Sequence, residues 1–161
     1  MLARVLVGVG SSIAPREEFI DCAIQLINEK VGTVIKKSKL LYNPPAGPNA
    51  QNEFANGAIL VETHETPQNT LKLLRSIEEE LGRERLKRWG DRTIDLDIIM
   101  WQSQGKFLVL DEHDLVIPHP RAYQREFVLK PCREIAPAWM DFLSPGPLEP
   151  SKPELPVAGN L

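Results

Sequence analysis

Hydrophobic positions along the chain change period repeatedly, and each change marks an element. Arg4 to Val9 form a short β-rich run ending at Gly8-Val-Gly-Ser-Ser12, which predicts a first strand. Pro15 then suits the first turn of a helix, with Glu17 and Glu18 at its positive end. Phe19, Cys22, Ala23, Leu26 and Ile27 follow at helical spacing and predict its buried stripe. A second strand is predicted over Thr33–Tyr42 and a third over Ala58–Thr63. Between them lies Asn43-Pro-Pro-Ala-Gly-Pro-Asn49, too rich in proline and glycine for a regular element. Thr66 followed by Pro67 reads as an N-cap and first helical position. Leu71, Leu74, Ile77 and Leu81 give this second helix its apolar face, and Gly82 is expected to help close it. Residues 83–92 would then form a loop before the apolar run through Trp101, which alternates as a strand.

The order βαββαβ predicts a ferredoxin-like α+β fold, an antiparallel sheet with both helices on one face. A small hairpin is expected around Lys106–Leu110, then a polar turn and Ile117-Pro-His-Pro-Arg121, then a helical or mixed segment over Phe127–Ile135. From Ser144 prolines recur at Pro145, Pro147, Pro150, Pro153 and Pro156, which predicts an extended tail. Residues 1–143 are thus expected to form one domain and residues 144–161 a C-terminal extension.

Composition narrows the class. With 161 residues, 42% hydrophobic and 25% charged, the chain is ordinary for a globular domain with one sizeable core. A net charge of −3 argues against a nucleic-acid or membrane partner. The two cysteines, Cys22 and Cys132, lack metal-ligand spacing and are expected to be reduced thiols. The N-terminal apolar run is too short for a secretory signal, and no run reaches membrane-spanning length, so a cytoplasmic protein is expected.

The chemistry concentrates in Arg88-Trp-Gly-Asp-Arg92-Thr-Ile-Asp95-Leu-Asp97-Ile98. Side chains two apart on a strand share a face, so Asp95 and Asp97 project together, their bases roughly 6–7 Å apart. Like charges on a half-buried strand are unfavourable alone. Immediately upstream stand Arg83, Arg85, Lys87 and Arg88, followed by Arg92. Acids able to hold a metal beside arginines able to hold phosphate suit phosphoryl transfer. A strand edge with solvated charges is the plainer reading, and the density of arginines weighs against it.

Several motifs occur in one order: Gly10-Ser-Ser12, Tyr42-Asn-Pro-Pro-Ala-Gly47, Gln51-x-x-Phe54-x-Asn56, and Ile77-Glu78 ahead of Leu81-Gly-Arg-x-Arg85. The arginine and aspartate stretch, Pro118-His-Pro-Arg121 and Arg125-x-Phe127 complete the series. Together they resemble the 6-hydroxymethyl-7,8-dihydropterin pyrophosphokinase family over residues 4–138. The resemblance implies transfer of pyrophosphate from ATP to the pterin hydroxymethyl group, with release of AMP, in folate biosynthesis. It also implies two Mg2+ ions on Asp95 and Asp97, and Arg83 and Arg92 as catalytic arginines. Arg85, Arg88, Arg92, Ile98, His119 and Arg125 would bind ATP. Phe54 and Phe127 would stack on the pterin, Asn56 would read its edge, and Asn43, Pro44 and Ala46 would complete that edge through main-chain groups. Trp89 is placed with the pterin-binding residues, in a loop that closes over nucleotide. A monomer with only small-molecule partners is expected.

Some positions depart from the family pattern. Ser12 stands for a usual asparagine, Asn43 for a threonine and Asp91 for a proline. Asp114 and Val116 stand where some relatives present a basic residue and a hydroxyl to the nucleotide. Two other classes compete with the enzyme: a silent ligand-binding homologue and an RNA-binding module. The RNA reading needs a basic, aromatic sheet face, and acids at 95 and 97 would repel a phosphate backbone.

Overall fold

Alternation on the first strand, β1 (Ala3–Ser11), sends its side chains into two different cores. Val5, Val7 and Val9 face one side, against α1 (Arg16–Lys30) and α2 (Pro67–Arg85). Leu6 faces the other, toward α3 (Glu126–Ile135). These elements come from a computed structural model that describes residues 2–43, 53–85 and 94–143. The predicted tail from residue 144 lies outside the described residues.

The remaining strands are β2 (Thr33–Lys37), β3 (Leu41–Asn43), β4 (Phe54–Thr63), β5 (Asp95–Ser103) and β6 (Lys106–Phe107). They form an antiparallel sheet in the order β2-β4-β1-β5-β6, with β3 also paired to β4. The α+β class is as expected, with α1 and α2 on one face. The opposite face is also covered, by α3 and by the short α4 (Met140–Leu143). Leu129, Cys132 and Ile135 of α3 bury Leu6, Leu60 and Met100 there.

Several elements differ from the pattern read in the sequence. The strand expected over Thr33–Tyr42 is two strands, β2 and β3, separated at Ser38. The Ser38 N–H donates to the Ala58 carbonyl, and its Oγ accepts from the Ala58 N–H, both at 2.9 Å. A side-chain oxygen thus takes the place of a backbone acceptor where the strand is interrupted. β4 starts at Phe54, earlier than its apolar run, because β1 and β3 pair with that end from both sides. Helix α2 does not close at Gly82 but runs to Arg85, so Arg83 and Arg85 lie on its last turn and not in a loop. Glycine in an exposed helical turn costs only about 1 kcal/mol relative to alanine, too little to end a helix with a buried stripe. Its start is as read: Thr66 Oγ1 accepts the Asn69 N–H at 3.0 Å.

On α1 the buried stripe is Phe19, Ile20, Ala23 and Ile27, and Cys22 is exposed. Cys132 is buried, which pushes its thiol up to about 12 and keeps it protonated. The hairpin around 106–110 resolves into two pairings. β6 returns along β5 through Gln104-Gly105, both at positive φ, as a two-residue hairpin requires. β7 (Leu110–Glu112) pairs instead with β8 (Leu115–Ile117), and Asp114 lies in the turn between them. Among the described residues no helix is long and apolar enough to cross a membrane.

Candidate active site

Helix α3 covers only part of its face of the sheet. Where it covers, β1 carries Leu6; where it does not, β1 carries Gly8 and Gly10. Gly10 pairs with Asn56 on β4 and with Asp95 on β5, and Gly8 pairs with Asp97. Without side chains on the central strand, its neighbours enclose a cleft of about 270 Å³. Gly8, Gly10, Asn43, Phe54, Asn56, Asp95, Asp97, Arg125 and Phe127 all line it. A Cβ on Gly10 would stand 2.6 Å from Phe54 Cε1 and 3.0 Å from Asn56 Oδ1, so that glycine permits both side chains to lie over the strand.

A register shift in β5 decides what faces the cleft. Val7 pairs with Ile98 but Leu6 pairs with Met100, so Ile99 is an extra residue. On the near side of that bulge, Asp95 and Asp97 share the cleft face while Leu96 and Ile98 enter the α1/α2 core. On the far side, Met100 faces α3. Ile98, expected at the nucleotide, is 4% exposed with its side chain in that core, so any contact to a ligand is left to its backbone.

Two residues that the sequence reading gave no role hold the acids in place. Glu78 Oε2 accepts the Leu96 N–H at 2.7 Å, and Arg75 donates to the Leu96 carbonyl at 2.8 Å. Arg75 also donates to Glu78 Oε2 at 2.9 Å and stands 3.9 Å from Asp97. Both backbone groups of the residue between the two acids are therefore tied to α2. Burial holds the Glu78 carboxyl above its usual range, opposed by the Leu96 N–H and by Arg75, while Asp95 and Asp97 push it the same way as burial. The available signal was a charged i,i+3 pair bordering the Leu74 and Ile77 stripe.

His119 is fixed at its backbone, where its N–H donates to the Ile99 carbonyl at 2.9 Å, and its Nδ1 accepts the Arg121 N–H at 3.2 Å. Burial lowers its pKa; Asp97 opposes this, and Arg125 and Arg121 add to it. A neutral imidazole with Nδ1 as acceptor carries its proton on Nε2. On the aromatic side, Asn56 Nδ2 donates to Asn43 Oδ1 at 2.5 Å. The Arg125 guanidinium lies 5.6 Å from the centroid of the Phe127 ring. Asn43, Phe54, Asn56, Asp95, Asp97, Arg125 and Phe127 are thus brought together, with His119 near Asp97. Pro44, Ala46, Arg88, Trp89, Asp91 and Arg92 lie outside the described residues; Arg83 and Arg85 are described as helical backbone only.

The donor set limits which metal could bind. Among the described residues there is no group of three His, Cys, Asp or Glu side chains able to hold an ion. A paired carboxylate with no third such ligand among the described residues fits a hard cation that retains water and takes phosphate oxygens, as Mg2+ does, better than a structural zinc.

The fold is α+β, and its cleft sets two carboxylates beside aromatic and amide side chains. A family model described as 7,8-dihydro-6-hydroxymethylpterin-pyrophosphokinase (HPPK) matches residues 6–137. The 2-amino-4-hydroxy-6-hydroxymethyldihydropteridine pyrophosphokinase of Bacillus subtilis is 38% identical over 130 residues, covering 80% of this chain and 75% of its own. The protein of the same description from Pseudomonas aeruginosa is 38% identical over 138 residues, covering 85% and 83%. A crystal structure of Plasmodium falciparum HPPK-DHPS shares the fold at a TM-score of 0.62 and 14% identity, over 83% of this chain and 40% of that one. This chain belongs to the hydroxymethylpterin pyrophosphokinase family.

Proposed function

We propose that the chain transfers the β,γ-pyrophosphoryl group of ATP to 6-hydroxymethyl-7,8-dihydropterin and releases AMP, a step of folate biosynthesis. The observation that carries this reading is the register that sets Asp95 and Asp97 against Gly10 and Gly8, beside Phe54, Asn56 and Phe127, in a chain of this family. The hydroxymethyl oxygen bonds to the β-phosphorus as the bond from that phosphorus to the α,β-bridging oxygen breaks. The hydroxyl proton passes to solvent water, and AMP leaves with the bridging oxygen.

In this reading Phe54 and Phe127 hold the flat ring between aromatic faces, and the Asn43–Asn56 pair reads its amide edge together with the main chain at Pro44 and Ala46. Asp95 and Asp97 would hold two Mg2+ ions, which when bound neutralise phosphate charge and orient the reacting groups. Arg75 and Glu78 keep the two acids in register through the backbone of Leu96. Arg83 and Arg92 stabilise charge on the transferring group, since guanidinium is planar and always ionised. Arg85, Arg88, Arg125, His119 Nε2 and the backbone of Ile98 grip the nucleotide, and Trp89 closes the site against water. The enzyme works as a cytoplasmic monomer on small molecules alone.

Incubation of the full chain with ATP, Mg2+ and the hydroxymethyl pterin tests the assignment. AMP is expected in step with loss of the pterin alcohol, and only with the divalent ion present. ADP in place of AMP would mean ordinary kinase chemistry, and no nucleotide product would leave a binding protein.

A further inference from the structure

Strand β3 carries Asn43 into the cleft, yet it is three residues long and, among the described residues, its ladder runs to β4 alone. Alternation gives its neighbour Tyr42 the opposite direction, toward the start of α1. There the Tyr42 hydroxyl donates to Glu17 Oε2 at 2.5 Å, a charge-assisted bond at the short end of the range. The Arg16 guanidinium lies 5.9 Å from the centroid of the Tyr42 ring and 3.9 Å from Glu53, the residue before Phe54. Arg16 Nε is buried without a hydrogen-bond partner among the described residues. Asn43 pairs in the ladder with Phe54, and its side chain accepts from Asn56. The links from Glu17 and Arg16 to Tyr42 and Glu53 therefore end beside Asn43 and Phe54, which line the cleft.

We propose that Tyr42, clamped by Glu17 and Arg16, is a positioning residue for pterin: it locks β3 so that the Asn43–Asn56 pair presents its edge in one orientation. The inference rests on the reading of Asn43, Asn56 and Phe54 as the pterin side of the site. Its physical basis is preorganisation. A three-residue edge strand is weakly held by its own ladder, and an amide pair that wanders must be ordered again at each binding event. The hydroxyl of Tyr42 removes that disorder in advance. The lowered Glu17 and raised Tyr42 pKa values, each caused first by their mutual hydrogen bond, agree with a bond between carboxylate and neutral phenol.

The test is steady-state kinetics on full-length Tyr42→Phe, Glu17→Ala, the double variant and Asn56→Ala, with melting temperatures. Tyr42→Phe is expected to raise the pterin KM about threefold to tenfold, the net scale of one ordinary hydrogen bond, since this one is exposed to solvent. The ATP KM and kcat should stay at wild-type values. Glu17→Ala, at an exposed helix start, should reproduce that shift, and the double variant should add nothing to it. A general structural role would instead lower the melting temperature and move both KM values together, which overturns the proposal. An unchanged pterin KM in Tyr42→Phe, with a raised one in Asn56→Ala, overturns it too and leaves the site reading standing. An unchanged pterin KM in Asn56→Ala removes the reading itself, and the proposal with it.

Discussion

The two ends of the α3 face of the sheet are built from the same three strands, yet one is core and the other is a cleft. At the closed end, Leu6, Leu60 and Met100 are at most 6% exposed beneath Leu129, Cys132 and Ile135. At the open end, the corresponding rows read Asp95–Gly10–Asn56 and Asp97–Gly8–Ala58. Nothing in the backbone ladder distinguishes the ends except the bulge at Ile99. What differs is side-chain volume on β1 and polarity on β4 and β5. A site has been opened on a packed sheet by removing side chains from its centre and setting polar and aromatic groups around the gap.

Substitutions at each end should separate their roles. Asp97→Ala removes a carboxylate whose side chain is 46% exposed, so the fold should survive. Turnover should fall by on the order of a thousandfold or more while pterin affinity changes little, because stabilisation of developing charge acts on the transition state. Single-turnover rates beside pterin titration would check this, and near-normal turnover would dissolve the functional distinction between the ends. At the closed end, Met100→Ala leaves a cavity and should cost about 2–5 kcal/mol of stability in denaturant titration, with the substrate KM values preserved in the folded fraction. A stability loss below about 1 kcal/mol would mean the closed end is not tightly packed. Gly10→Ala adds one methyl at the boundary, where Phe54 and Asn56 must give way. About a tenfold rise in pterin KM is expected with a small loss of melting temperature, since strands otherwise accept alanine. A loss of stability as large as that of Met100→Ala would instead make Gly10 part of the core.

Much of this organisation was legible beforehand where one residue's chemistry decides its place. The strand carrying Asp95 and Asp97 was readable from alternation, and the start of α2 from Thr66 and Pro67. Spacing alone does not distinguish Cys22 from Ile20 on the buried stripe, because the choice depends on where the sheet lies. Gly82 reads as a helix end because its intrinsic cost is visible in the sequence while the packing that outweighs it is not. The roles of Arg75 and Glu78 were hidden for a related reason. Their partners are backbone atoms of a strand far along the chain, and a sequence carries no mark of which main-chain groups a side chain will meet.

Local chemistry thus determined the βαββαβ order, the shared face of the two acids and the supply of aromatic and cationic groups, because those follow from side-chain period and residue type. Tertiary structure decided the split at Ser38, the bulge that turns Met100 toward α3, and the union of Gly10, Asn56 and Asp95 in a single row. Each of these depends on pairing between strands tens of residues apart. Such pairing is selected by the free energy of the whole packed sheet and not by any one segment of it.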